Sequence, residues 1–312
     1  MGNRNKNGMK KRLMAAPALA MFLISACIVG APTAHSAGAD GECATKYPIV
    51  LVHGAGFRDM NLGLNYWGRI PEYLEERGAK IHYGNTDGWS SIEQGAADLK
   101  AAVEAVLAGT GSEKVNIIAH SKGGLEARYM ISSLHMAGRV ASLTTISTPH
   151  HGSKTLDYIL EWPDFLLRGA SVIGDVVSRI AGDRNPDFYA GIQSLGKGYM
   201  QEFNEENPDM PGVYYQSFAG QLYAPASDLI LSWPAYIIKD TEGGTNDGMV
   251  TVESAIWTNF RGVLRGAGYR GISHLDEVDF RREDIEIEPL LGATTIRGFY
   301  AAVVTDLGQL GY

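Results

Sequence analysis

Short apolar runs alternate with amphipathic segments through the first half of the chain, from residue 47 onwards. The run at 47–52 is apolar throughout, which is typical of a strand buried on both faces of a parallel sheet. Ser91 and Gln94 open the second amphipathic segment as a capping box. The predicted strands are 47–52, 79–83, 115–118, 140–147 and 212–221, and the predicted helices are 66–77, 92–107, 122–138 and 294–307. This alternation predicts an α/β fold with a mostly parallel central sheet and helices on both faces.

The alternation fails between about residues 155 and 207. Apolar residues crowd around Pro163, and a narrow apolar stripe follows at 172–180. One interpretation is an excursion that packs on the core. The favoured interpretation is a helical lid whose apolar face covers the site and opens towards lipid. No linker divides residues 40–312, so we interpret them as one domain.

The first 39 residues carry basic side chains and no acidic one, followed by the apolar stretch 13–30. This pattern predicts a secretory signal peptide and a soluble exported protein. The alternative is a lipobox ending at Cys27, which would anchor the mature chain to a membrane by a lipid. Only Cys43 would remain after cleavage, so no internal disulfide is expected, and we interpret Cys43 as an inert residue in a loose N-terminus.

The formal net charge is −8, and loss of the basic leader would make the chain more acidic still. A surface of this sign repels nucleic acid and anionic lipid headgroups. We therefore expect no nucleic-acid partner.

Residues 114–138 read as a strand, a tight turn and a helix, with Ser121 at the turn. Strand and helix nearly touch at such an elbow, so the residues two before and two after the serine must be small, as Ala119 and Gly123 are. The same pattern, Ala-x-Ser-x-Gly, also occurs at 34–38. That copy lies in the predicted leader, without a predicted strand before it or a predicted helix after it. The strand–turn–helix context around Ser121 therefore favours this serine as the nucleophile.

A serine hydroxyl needs a base to take its proton, and that base is usually a histidine oriented by a carboxylate. Four histidines follow Ser121 in the chain, and only His274 comes late enough to follow an acid-bearing loop. We predict that His274 is the base, and that it lies in a loop returning over the elbow.

The acid is less determined by the sequence. Asp247 lies in a turn beside an apolar run, where a carboxylate can be held rigidly next to an imidazole. Asp228 and Asp240 are the alternatives.

An oxyanion formed on the substrate needs two backbone donors. We predict the N–H groups of Lys122, just after the nucleophile, and of Ala55, in the small-residue turn after the first strand. The Lys122 side chain is interpreted as a solvated charge with no role.

Taken together, the motifs resemble those of secreted bacterial triacylglycerol lipases of the α/β-hydrolase superfamily. The segments that carry the resemblance are YPIVLVHGAGF (47–57), VNIIAHSKGG (115–124), ISTPHHGS (146–153), NDGMV (246–250) and SHLDEVD (273–279). The resemblance implies an ester hydrolase that acts on long-chain acylglycerols at a lipid interface, with Ser121, Asp247 and His274 as its triad. It favours Asp247 over the other aspartates and leaves open a folding helper and the oligomeric state.

The resemblance also implies a cation near the catalytic histidine. Many such lipases hold calcium there through an aspartate two residues later, a position that Asp276 occupies. Residues 278–280 lack one of the usual side-chain ligands, although Asp228 or Asp240 can supply another. No cofactor is required by the predicted chemistry, and calcium is expected at most as a structural ion.

Two other functions fit the same sequence. A carboxylesterase or polyester depolymerase would use the same triad on other esters. A catalytically silent binding protein would share the fold, but the nucleophile, acid, base and both oxyanion turns are all present, which favours an enzyme.

Overall fold

The computed structural model describes residues 41–56, 58–61, 64–161, 163–180 and 182–312. The predicted signal peptide, with Cys27, lies outside the described residues, as do Phe57 of the first motif and Trp162 of the predicted lid.

The first half of the chain contains β1 (Ile49–Val52), β2 (Met60–Asn61), β3 (Leu64–Asn65), α1 (Ile70–Glu75), β4 (Ile81–Tyr83), α2 (Ile92–Thr110), β5 (Val115–His120), α3 (Lys122–Ile131) and β6 (Val140–Ile146). The second half contains α4 (Lys154–Leu160), α5 (Asp164–Ile180), α6 (Phe188–Gln193), α7 (Lys197–Glu206), β7 (Tyr214–Gln221), α8 (Ser232–Thr241), α9 (Val252–Ala255), β8 (Phe260–Arg265), β9 (Glu286–Leu290), β10 (Ala293–Thr295) and α10 (Ile296–Gln309).

Six parallel strands form the central sheet, in the order β4-β1-β5-β6-β7-β8. The chain leaves β1 towards β4 on one side and returns to β5 on the other. The carboxyl ends of β1 and β5 therefore flank the topological switch point, where open α/β sheets bind ligands. The predicted fold class is confirmed.

Helices cover both faces of the sheet because the strand residues alternate between two apolar cores. Ile49 and Leu51 pack in the core that includes α10, whereas Val50 and Val52 pack in the core that includes α2 and α3. Since both sets are buried, β1 has no polar face. This explains its continuous apolar sequence.

Two of the differences between the sequence prediction and the structure concern β8 and α1. β8 was not predicted, because it is a half-buried edge strand with arginines at 261 and 265 and no continuous apolar run. The first amphipathic segment becomes helical only at Ile70, because Tyr66 to Arg69 form a turn in which Gly68 has a φ of +54°.

Cys43 also differs from its prediction. Its side chain is fully buried against α10, and its N–H donates to the Arg77 carbonyl. The start of the described chain is thus packed, and burial raises the pKa of the Cys43 thiol to about 11.

Between β6 and β7 the chain forms α4, α5, α6 and α7 in place of a single crossover helix. This helical insertion covers the region predicted as a lid. Among the described helices, none is both long and apolar enough to cross a bilayer.

Gly123 in α3 tests the close packing of helix and strand. A Cβ added there would lie 2.3 Å from the His53 carbonyl oxygen, which is backbone and cannot turn away. We expect Gly123→Ala to lower the free energy of unfolding by about 1–3 kcal/mol. Gly109→Ala in α2 is the matched control, because its Cβ meets nothing within 4 Å and should stabilise the helix by about 0.5–1 kcal/mol. Urea unfolding measures both, and equal stabilities would contradict the packing.

Candidate active site

Ser121 lies between β5 and α3 in a strained backbone conformation, with φ 55° and ψ −133°. Positive φ at a non-glycine residue is costly and persists only where the surroundings impose it. Here the Ser121 N–H donates to the Ile146 carbonyl at 3.0 Å, and the Thr148 hydroxyl donates to the Ser121 carbonyl at 2.8 Å. The hydrogen bonds to Ile146 and Thr148 therefore hold Ser121 at the end of the sheet.

The turn after β1 lies directly against this serine. A Cβ at Gly54 would stand 2.7 Å from the Ser121 Cβ and 3.3 Å from its Oγ. Only glycine permits this approach, which brings the small-residue turn beside the serine hydroxyl. Ala55, the next residue, lines the same cavity as Ser121.

His274 and Asp247 form a tight pair at the same end of the sheet. His274 Nδ1 donates to Asp247 Oδ2 at 2.7 Å, and the His274 backbone N–H donates to the Asp247 carbonyl at 2.9 Å. The His274 ring lies 4.3 Å from the ring of His120, the residue before Ser121. The structure thus brings the predicted base and acid into contact and places the base against the residue that precedes the predicted nucleophile.

Asp247 is fully buried, and its charge is compensated locally. Its Oδ1 accepts the N–H groups of Met249 and Val250 at 2.8 and 2.7 Å. Burial alone would raise the pKa of Asp247, but the charge and hydrogen bond of His274 and these two N–H groups hold the pKa below its usual value. The carboxylate is therefore ionised at neutral pH.

The two alternative acids lie elsewhere. Asp228 pairs with Arg281, and Asp240 is exposed on α8. Neither has a contact with His274 among the described interactions.

Behind the pair lies a buried hydrogen-bond network that the sequence analysis missed. Tyr66 donates its hydroxyl proton to His120 Nδ1 at 2.7 Å, and His120 Nε2 donates to Glu277 Oε2 at 2.9 Å. The Ser147 hydroxyl donates to Glu277 Oε1 at 2.9 Å, and the Tyr66 hydroxyl accepts the Gly54 N–H. This hydrogen-bond network therefore joins the turn after β1 to the loop that carries His274.

Burial largely determines the protonation states of His120 and Glu277 in this hydrogen-bond network. Burial, and then the charge of His274, lower the pKa of His120 well below its usual value, so its ring is neutral. Burial and the charge of Asp247 raise the pKa of Glu277 well above its usual value. A neutral Glu277 avoids a second buried carboxylate beside Asp247 and can donate its proton to it.

The prediction for the Lys122 side chain is wrong. Lys122 is buried, and its ammonium pairs with Glu126 one turn along α3. The four-residue spacing of these two residues was a readable signal for such a pair. The Lys122 backbone N–H lies in the first turn of α3, where helical acceptors are absent and the N–H is free for another oxygen.

An apolar cavity opens beside Ser121. Its walls come from the turn after β1, the helical insertion and α8, and its apolar surface far exceeds its polar surface. The lining residues are Ala55, Trp89, Ser121, Pro149, Ser153, Leu156, Ile192, Leu195, Trp233, Pro234, Ile237, Ile238, Met249 and Val250.

The calcium expectation does not fit the residues present. Both oxygens of Asp276 already accept hydrogen bonds from arginine side chains, Arg270 to both and Arg281 to one. Within the described chain, His120, His274 and Glu277 form a cluster of metal-ligating type, but they are bonded into the catalytic network.

Comparison with known proteins places this geometry in a family. Residues 47–185 match the family model for the alpha/beta hydrolase fold. The chain is 30% identical to a triacylglycerol lipase of Vibrio cholerae over 295 residues, covering 84% of this chain and 88% of that protein. It is 30% identical to triacylglycerol lipase 2 of Saccharomyces cerevisiae over 264 residues, covering 80% and 76%. The crystal structure of Staphylococcus hyicus lipase shares the fold, with a TM-score of 0.64 and 16% identity over 85% of this chain and 96% of that chain.

Tyr66→Phe tests the buried hydrogen-bond network. The substitution removes the partner of His120 Nδ1 in a site without water access, so we expect the free energy of unfolding to fall by about 1–3 kcal/mol. Tyr236→Phe is the control, because Tyr236 is exposed and should change stability by no more than about 0.5 kcal/mol. Urea titrations of the two variants provide the comparison, and a neutral Tyr66→Phe would disprove the role of the hydroxyl.

Proposed function

The chain belongs to the triacylglycerol lipases of the α/β-hydrolase fold, and we propose that it hydrolyses long-chain acylglycerols at a lipid interface through an acyl-enzyme on Ser121. The observation that carries this proposal is the buried Asp247–His274 pair beside a strained serine that borders an apolar cavity.

In the first half-reaction, the Ser121 Oγ attacks the ester carbonyl while His274 takes its proton. His274 Nδ1 is committed to Asp247, so Nε2 is the nitrogen that accepts the proton. The N–H groups of Lys122 and Ala55 stabilise the oxyanion of the tetrahedral intermediate. His274 then returns the proton to the departing glyceride oxygen, which leaves the acyl group on Ser121.

In the second half-reaction, His274 takes a proton from water, and the resulting hydroxide attacks the acyl carbonyl. Collapse of the second intermediate returns the proton to the Ser121 Oγ and releases the fatty acid. Asp247 stays ionised throughout and stabilises the imidazolium that forms twice.

The cavity supports an acyl substrate of low polarity. Trp89, Ile192 and Ile237 line it, and the polar Ser121 lies at its border. Such walls gain free energy from each methylene withdrawn from water, about 0.8 kcal/mol per buried group. Short soluble esters would gain less from these walls, which favours a lipase over a carboxylesterase.

Exposed apolar side chains on α5 and α8 support contact with lipid. Val172 and Ile173 on α5 are 64% and 51% exposed, and Tyr236 on α8 is 58% exposed. α5 packs against α6, and α6 and α8 both line the cavity. We propose that these side chains meet the lipid surface, as a lid region would.

The proposal includes export of the chain as a soluble protein. It rests on the basic and apolar leader that precedes the domain. Secretion would bring the enzyme to lipid outside the cell.

Ser121→Ala and Asp247→Asn test the assigned roles. We expect Ser121→Ala to lose on the order of a millionfold in kcat, and Asp247→Asn to lose somewhat less, while both variants remain folded. Hydrolysis of p-nitrophenyl esters from acetate to palmitate, and of emulsified triolein, measures activity and chain preference. Activity confined to acetate and butyrate would indicate an esterase, and a fully active Ser121→Ala would refute the mechanism.

Val172→Asp with Ile173→Asp tests the lipid contact. Charges on this surface would oppose adsorption, so hydrolysis of emulsified triolein should fall by roughly tenfold, the equivalent of about 1.4 kcal/mol. Hydrolysis of dissolved p-nitrophenyl butyrate should not change. Leu310→Asp, exposed after α10, is the control. Equal losses on both substrates would show that the surface does not act through lipid.

A further inference from the structure

The guanidinium of Arg281 lies between two buried carboxylates. Its Nη1 donates to Asp276 Oδ1 at 2.7 Å, and its Nη2 donates to Asp228 Oδ2 at 2.6 Å. The exposed fraction of the Arg281 side chain is 12%, against 0% and 1% for the side chains of Asp276 and Asp228. A single cation thus joins two acids that are separated from bulk water.

The remaining acceptor positions of the Asp228 and Asp276 carboxylates are also used. Asp276 Oδ2 accepts the Ser273 N–H at 3.0 Å and Arg270 Nη2 at 3.1 Å. Asp228 Oδ1 accepts the N–H groups of two residues that lead into α8, at 2.9 and 3.0 Å. A calcium ion requires six to eight oxygen ligands, and these oxygens are already engaged by nitrogen donors.

The two acids belong to different parts of the active site. Asp276 lies two residues after His274 and, through its bond to the Ser273 N–H, shapes the loop that carries the base. Asp228 precedes α8, which supplies one wall of the cavity. Arg281 therefore joins the loop of the base to the wall of the acyl site.

We propose that Arg281 is a positioning residue whose guanidinium makes, between Asp228 and Asp276, the cross-link that the resemblance assigned to calcium. It follows that this chain holds His274 in place without a divalent cation. The inference rests on the proposed role of His274 as base.

An internal guanidinium differs physically from a bound ion. It stays charged at any ordinary pH, and no chelator can remove it. Its planar, forked donors also fix the direction of each carboxylate. Its removal would take the arginine partner from the buried Asp228 and leave Asp276 with Arg270 alone, which is strongly destabilising.

The test begins with the intact protein. Chelation by EDTA and addition of calcium chloride should each leave the Tm and the triolein activity unchanged. Arg281→Ala should lower the Tm by about 5–10 °C, because each kcal/mol shifts a chain of this size by a few degrees. Its kcat should fall more than its KM rises. Calcium should then restore part of both Tm and kcat, because it can take the place of the lost guanidinium between the Asp228 and Asp276 carboxylates.

Two variants serve as controls. Arg265→Ala removes an exposed guanidinium and should change neither Tm nor kcat. Arg281→Ala with Asp228→Asn removes one carboxylate and should abolish the response to calcium. Tm measurements in a Ser121→Ala background separate the cross-link from catalysis, so a failed triad would leave this result readable.

Three results would overturn the proposal: a wild-type Tm that falls on chelation, an Arg281→Ala variant with unchanged Tm and kcat, or an impaired variant that calcium does not improve. If Arg281→Ala is insoluble, refolding in calcium chloride gives the decisive result. Recovery of folded protein supports the cross-link, and failure to recover argues against it.

Discussion

The active site depends on keeping one ionised carboxylate, Asp247, inside the protein. A buried charge is costly unless it is paired and hydrogen-bonded. Asp247 meets that requirement with the His274 imidazole and two backbone N–H groups of the following turn. The neighbouring Glu277 is driven towards its neutral form by burial and by Asp247 itself. The proton of one acid and the charge of the other are therefore determined together.

The parallel sheet explains why these groups meet at all. Ser121 follows β5, the Gly54 turn follows β1, and Asp247 and His274 come from loops near the carboxyl ends of β7 and β8. Loops at this edge converge because all six strands point the same way. The glycines at 54 and 123 then permit backbone contacts that any Cβ would prevent.

Much of the triad could be predicted from the sequence, because strand–turn–helix order and the late position of His274 are local signals. The hydrogen-bond network of Tyr66, His120 and Glu277 could not be predicted, because these residues lie far apart in the sequence and are brought together only by the order of the strands in the sheet. The Lys122 side chain was misjudged for a related reason. Its spacing to Glu126 is visible in the sequence, but its burial follows from the tertiary packing of α3. The same limit applies to Arg281, whose two partners come from separate loops.

The most direct test of the central claim is covalent labelling by a fluorophosphonate, followed by peptide mass spectrometry. The account predicts one label, on Ser121, formed rapidly in the wild type and several orders of magnitude more slowly in His274→Ala. This follows because the hydroxyl is reactive only when the imidazole takes its proton. A label on another serine, or an equal rate in His274→Ala, would contradict the account.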